Sequence, residues 1–118
     1  MEPKNDSILV FKFGGASVKS AKAINNVVDI LKRYDNRKII VVVSAMGKTT
    51  NNLESLFDAA INQNKELFTS SKETLYDFHI EIINTLFSDG THKTIKHEID
   101  QVFDDINAFY LKQSSKPR

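Results

Sequence analysis

Apolar residues fall in two rhythms along this chain, and the change between them sets its organisation. Residues 8–13 read ILVFKF, a short run of β-branched and aromatic residues closed by Gly14-Gly15, which predicts a strand. Over residues 21–34, Ile24, Val27, Val28 and Leu31 recur at the i, i+3, i+4, i+7 spacing of an amphipathic helix. Ser17 or Ser20 can cap its start, and Tyr34-Asp35-Asn36 supplies polar turn residues at its end. Residues 38–44 read KIIVVVS. Five consecutive β-branched residues without alternation predict a strand covered on both faces, as in a parallel sheet. Strand, helix and strand within roughly 35 residues make a βαβ unit, whose crossover should be right-handed.

Beyond residue 44 the rhythm becomes helical throughout. Leu53, Leu56, Phe57, Ala60 and Ile61 form one stripe, and Leu75, Phe78 or His79, Ile82 and Leu86 form the next. Ile95, Ile99, Val102, Phe103, Ile106, Phe109 and Tyr110 form the last and strongest. Loops are expected around residues 62–66 and at Ser88-Asp89-Gly90, with Thr91 as a cap for the last helix. The phenylalanines at helical spacing, Phe57, Phe78, Phe87, Phe103 and Phe109, are expected in a core or an interface. Two parallel strands cannot cover their own edges, and doubly wound folds use four or more. The pattern therefore reads as α/β and as the opening of a larger domain: a βαβ unit over 8–44, a helical region over 51–112 and a polar tail, 113–118, expected to be disordered.

Composition changes this picture little. A chain of 118 residues is one domain or part of one, and 41% hydrophobic with 26% charged residues is ordinary for a globular protein. A net charge of +1 gives no argument for nucleic acid or an anionic membrane as partner. Without cysteine there is no disulfide and no thiolate chemistry, which is consistent with a cytoplasmic setting. The start, MEPKNDS, does not read as a secretion signal, and the apolar runs are too short to span a bilayer. His79, His92 and His97 include no i, i+3 or i, i+4 pair, so no metal site is expected. Asp100, Asp104 and Asp105 read as solvated surface.

Two loops could carry chemistry. The first is Lys12-Phe13-Gly14-Gly15. Glycines can adopt positive φ and let another group approach the backbone. A strand end followed by a helix start favours anions, and strand carboxyl ends are where open α/β sheets bind ligands. Lys12 adds a cation there. By position alone, a solvent-facing lysine beside an ordinary glycine turn is the simpler reading. The GxGxxG dinucleotide fingerprint is absent, since the run is GGASVK. The second loop lies in VVVSAMGKTTNNL, residues 41–53. Gly47-Lys48-Thr49 imitates the end of a P-loop, but Val42 stands where the first glycine would be required. What remains is a hydroxyl-rich loop with Ser44, Thr49, Thr50, Asn51 and Asn52, in which Thr50 or Asn51 can also cap the next helix. If the strands are parallel neighbours, both loops lie on one side of the sheet.

KFGGASV followed about thirty residues later by VVSAMGKTTNNL resembles the aspartate kinases, within the amino acid kinase superfamily. The family pattern K-F-G-G-[TS]-S-V is matched by residues 12–18, and V-V-S-A…T-N-x-L by Val42, Val43, Ser44, Ala45, Thr50, Asn51 and Leu53. Ala16 departs from it, removing a hydroxyl where the family often has threonine. The resemblance implies a partial three-layer amino acid kinase domain, of which residues 1–118 are the N-terminal part, and transfer of the ATP γ-phosphoryl group to the β-carboxylate of L-aspartate with Mg2+. It implies Lys12, Gly14, Gly15 and Ser17 at the ATP phosphates, Lys12 as the catalytic cation, and Ser44 and Thr50 at the aspartate. It further implies a homo-oligomer that works on small molecules, and an isolated 118-residue piece that does not turn over. Two alternatives stand beside it: another amino acid kinase, or a non-enzymatic module that pairs its apolar helices with another chain.

Overall fold

A computed structural model describes residues 7–114. They form two compact units, one through Lys48 and one from Thr49.

The first unit is built on two parallel strands, β1 (Ile8–Phe13) and β2 (Lys38–Val43), paired in register from Ile8 opposite Lys38 to Phe13 opposite Val43. Helix α1 (Ala21–Lys32) connects them, preceded by a short 3-10 turn, Gly15–Val18. Ser20 is the α1 cap: its Oγ accepts from the Ala23 N–H at 3.1 Å. Alternation decides which side of β1 is covered. Phe13 is buried with Val18 and Val27, and Phe11, Ile24, Ile30, Leu31 and Met46 pack against this cluster. The opposite face of the pair, Ile8, Val10, Ile40 and Val42, is about half exposed or more. The unbroken β-branched run of β2 is thus not covered on both faces among the described residues, and Val41 and Val43 are also exposed. Of the predicted α1 stripe, Ile24, Val27 and Leu31 pack into this cluster, but Val28 is exposed and Ile30 packs in its place. The helix stops at Lys32 in a turn that returns Arg37 to Ser7, its Nη2 donating to the Ser7 Oγ at 2.7 Å.

The second unit is three helices: α2 (Thr49–Ile61), α3 (Lys65–Leu86) and α4 (Lys93–Ser114). Its core is Leu56, Ala59, Ala60, Phe68 and Leu75, with Phe103, Ile106 and Tyr110 packed against it. Phe68 stacks on Tyr110 with centroids 4.4 Å apart. The two alanines let helices approach closely where a larger side chain would hold them apart.

Several expectations change here. Helix α3 begins at Lys65, so the loop shrinks from 62–66 to 62–64 and Asn64 becomes the cap, accepting from the Leu67 N–H. Thr50 and Asn51 lie inside α2, which starts at Thr49, and are not its caps. Thr91 does not cap α4: its hydroxyl and N–H both donate to Asp89 Oδ1, at 2.7 and 3.2 Å. Those contacts, the hydroxyl first, hold the Asp89 carboxyl below the usual range. Asp100 is half-buried rather than solvated surface and accepts from the Tyr76 hydroxyl at 2.6 Å. That bond, with burial and the Asp100 charge behind it, raises the Tyr76 phenol above its ordinary value. Phe57 is 54% exposed. Gln113 and Ser114 continue α4, and the rest of the expected tail lies outside the described residues.

Candidate functional site

The C-terminal ends of β1 and β2 bring two loops together. The Ser44 N–H donates to the Phe13 carbonyl at 2.9 Å, carrying the pairing one residue beyond β2. The chains then diverge and meet again, with the Gly47 N–H on the Gly15 carbonyl at 3.2 Å. A Cβ built on Gly15 would stand 2.8 Å from the Gly47 carbonyl oxygen and 3.3 Å from that of Ala45. Gly15 is therefore required by close approach of the second loop. Neither Gly14 nor Gly15 adopts positive φ, contrary to the use first expected of them; the residue that does is Gly47, at 58°. A Cβ on Gly14 would meet nothing within 4 Å.

Lys12 is exposed and lies opposite Val42, on the face of the pair that α1 does not cover. Ser17 is exposed within the 3-10 turn, its N–H on the Gly14 carbonyl at 3.0 Å. Ser44 is exposed just past β2. Lys12, Gly14, Gly15, Ser17 and Ser44 thus gather at one end of one sheet. Thr50 belongs to the helical unit, exposed in the first turn of α2. Helix α1 begins only after the 3-10 turn and Ser20, so the glycines do not run straight into its N-terminus as expected.

The sequence pattern of Gly47-Lys48-Thr49 resembles a P-loop ending and so does not mark Gly47 as a residue of this site. Its signal is a glycine three residues past a buried-type strand, where a reversing loop calls for positive φ.

The charge is more segregated than the net value suggests. The first 48 residues hold nine Lys and Arg against four Asp and Glu; the remaining 70 hold seven against eleven. The two-loop end belongs to the basic part, and with a lysine, hydroxyls and backbone amides it has the chemistry of an anion site. Among the described residues no group of three or more His, Cys, Asp or Glu is placed to hold a metal ion. No described helix is long and apolar enough to cross a membrane.

The family model described as "Amino acid kinase family" matches residues 7–112. The chain is similar to aspartokinase 1 (chloroplastic) of Arabidopsis thaliana, 32% identical over 100 residues, covering 82% of this chain and 18% of that protein. It is similar to aspartokinase 2 of Bacillus subtilis (strain 168), 43% identical over 58 residues, 48% of this chain and 14% of that protein. It is also similar to a bifunctional aspartokinase/homoserine dehydrogenase 1 (chloroplastic) of Zea mays, 31% identical over 86 residues, 73% of this chain and 9% of that protein. The chain spans less than a fifth of the length of each of these relatives.

Proposed function

We propose, from the premise that this chain belongs to the amino acid kinase family, that it is the phosphate-binding part of an aspartate kinase. The reaction is transfer of the γ-phosphoryl group of ATP to the β-carboxylate of L-aspartate. A carboxylate oxygen bonds to the γ-phosphorus, the bond from that phosphorus to the bridging oxygen breaks, and ADP leaves with the electron pair. The product is an acyl phosphate, and no protein nucleophile is required.

Such a transfer rests on positioning and charge stabilisation. Lys12 sets its ammonium against the charge of the transferring group. Gly14 keeps the backbone bare where the phosphates approach, and Ser17 offers a hydroxyl beside them. Ser44 offers the aspartate a hydroxyl from the end of β2. Magnesium, if carried by the phosphates, would offset part of the charge that Lys12 faces. The observation that carries this reading is the close contact of Gly15 with Gly47, which holds the two loops together at the strand end where Lys12 lies. The similarity to three aspartokinases supports aspartate over other acidic substrates. Because the chain spans only part of their length, turnover is assigned to the complete kinase domain, and the 118 residues alone bind phosphate weakly without turning over.

A chimera tests this: Arabidopsis thaliana aspartokinase 1 with the 100-residue segment that this chain matches replaced by the matching part of this chain, followed by a coupled ADP-release assay. Folded chimera should release ADP with L-aspartate and not with L-glutamate, and Lys12→Ala should lower kcat on the order of 10²–10³. A folded chimera indifferent to Lys12→Ala would refute the assignment of that lysine; preference for glutamate would refute the substrate.

A further inference from the structure

The helical unit carries an apolar groove that the phosphate chemistry does not use. Leu53 and Phe57 of α2 face Val102 and Phe109 of α4 across an opening of about 290 Å³. All four side chains are more than a third exposed, Phe57 and Val102 the most. Phe57 and Phe109 stack with centroids 6.1 Å apart, leaving an aromatic edge at the surface. Isolated exposed apolar residues are ordinary, but a contiguous patch inside a groove marks an interaction site.

The rim has one sign. Asp105 lines the groove, and where it extends along α2 past Leu53 and Phe57 its walls add Glu54 and Asp58. Helix α2 has no lysine or arginine at all, and the unit as a whole is acidic. An apolar floor with aromatic anchors and a charged rim is the anatomy of an interface, and the rim's sign selects the partner. A groove between two helices admits the apolar face of a third.

We infer that this groove docks a basic amphipathic helix of a partner protein, leucine-type side chains on Phe57 and Phe109 and lysines or arginines against Glu54, Asp58 and Asp105. Among the described residues, the other helices do not fit that description. Helix α1 has a basic surface, but Ile24, Val27 and Leu31 are already packed in the first unit's core. Helices α3 and α4 each carry more acidic than basic residues.

The test uses the 118-residue chain and two fluorescent peptides with the same helical leucine spacing, one with lysine and one with glutamate at every other position. Anisotropy should show the Leu/Lys peptide binding saturably, with the Leu/Glu peptide at least about tenfold weaker. The isosteric triple variant Glu54→Gln, Asp58→Asn, Asp105→Asn should weaken the Leu/Lys peptide by about tenfold and flatten its salt dependence. Phe57→Ser, whose side chain is already half in solvent, should also weaken it while circular dichroism stays unchanged. Equal binding of both peptides, binding of neither, or insensitivity to the triple variant would overturn the inference. So would sedimentation showing that the chain dimerises and that Phe57→Ser abolishes the dimer, since the groove would then belong to a second copy.

Discussion

Gly15 and Gly14 are neighbours with different reasons to be glycine. A methyl on Gly15 would press on two carbonyl oxygens of the second loop, and backbone yields poorly. Gly15→Ala should cost about 1–3 kcal/mol in chemical denaturation, the usual toll of forced overpacking. Gly14 has space and an ordinary extended φ of −77°, so Gly14→Ala should change stability by no more than about 0.5 kcal/mol. Its effect should appear instead as weaker phosphate binding, because the new methyl stands on the surface the phosphates are proposed to approach. Sequence could offer two glycines in a row but not this division of labour. The Gly15 contact is with Gly47, 32 positions away, and no local pattern encodes such a partner. Lys12 was legible as a candidate, since a cation at a strand end is visible in sequence, whereas its face of the sheet became clear only with the pairing register.

Among the elements, strongly periodic or strongly β-branched segments were legible, and α1, β1 and β2 lie close to where their patterns put them. The first half of α3 was not. Residues 65–74 offer only Leu67 and Phe68 as apolar positions among polar ones, too few for a stripe, yet Phe68 is 2% exposed. Asn64 was the available signal, a capping residue just ahead of that pair. Asp100 reads as surface because it stands among polar positions of α4, while its partner Tyr76 comes from another helix. That pair gives a pH prediction. The Tyr76 phenol is raised, so the folded state holds its proton more tightly than the unfolded chain, and the stability this contributes is complete below the ordinary tyrosine value. Stability should fall as pH rises through and beyond about 10, and Tyr76→Phe should flatten that part of the curve measured by urea melts. Replacing the α1 cap, Ser20→Ala, should cost about 1 kcal/mol at neutral pH.

At the scale of the molecule, the two units differ in how well they bury what they have. The helical core is 3% exposed or less at each of its five residues, whereas the βαβ core is 4 to 8% exposed and its sheet keeps an open apolar face. Two-stranded parallel sheets are ordinarily covered on both sides. Amide hydrogen exchange should therefore be slowest around Leu56 and Leu75 and faster across β1 and β2. Equal protection in both units would show that the open face is covered in solution. The α/β class and the βαβ unit could be read from sequence, because the apolar pattern switches from strand to helix and back to strand before it stays helical beyond Ser44. The openness of β2 could not, since an unbroken β-branched run records what a strand is suited to pack against, not what is present.

The proposed function places phosphate at the two-loop end beside Lys12. Titrating the ¹⁵N-labelled chain with Mg-ATP tests it most directly. Amide shifts should be concentrated at residues 14–18 and 44–48, and should be lost in Lys12→Ala with the remaining spectrum unchanged. Shifts centred elsewhere, or the same shifts without the lysine, would contradict it.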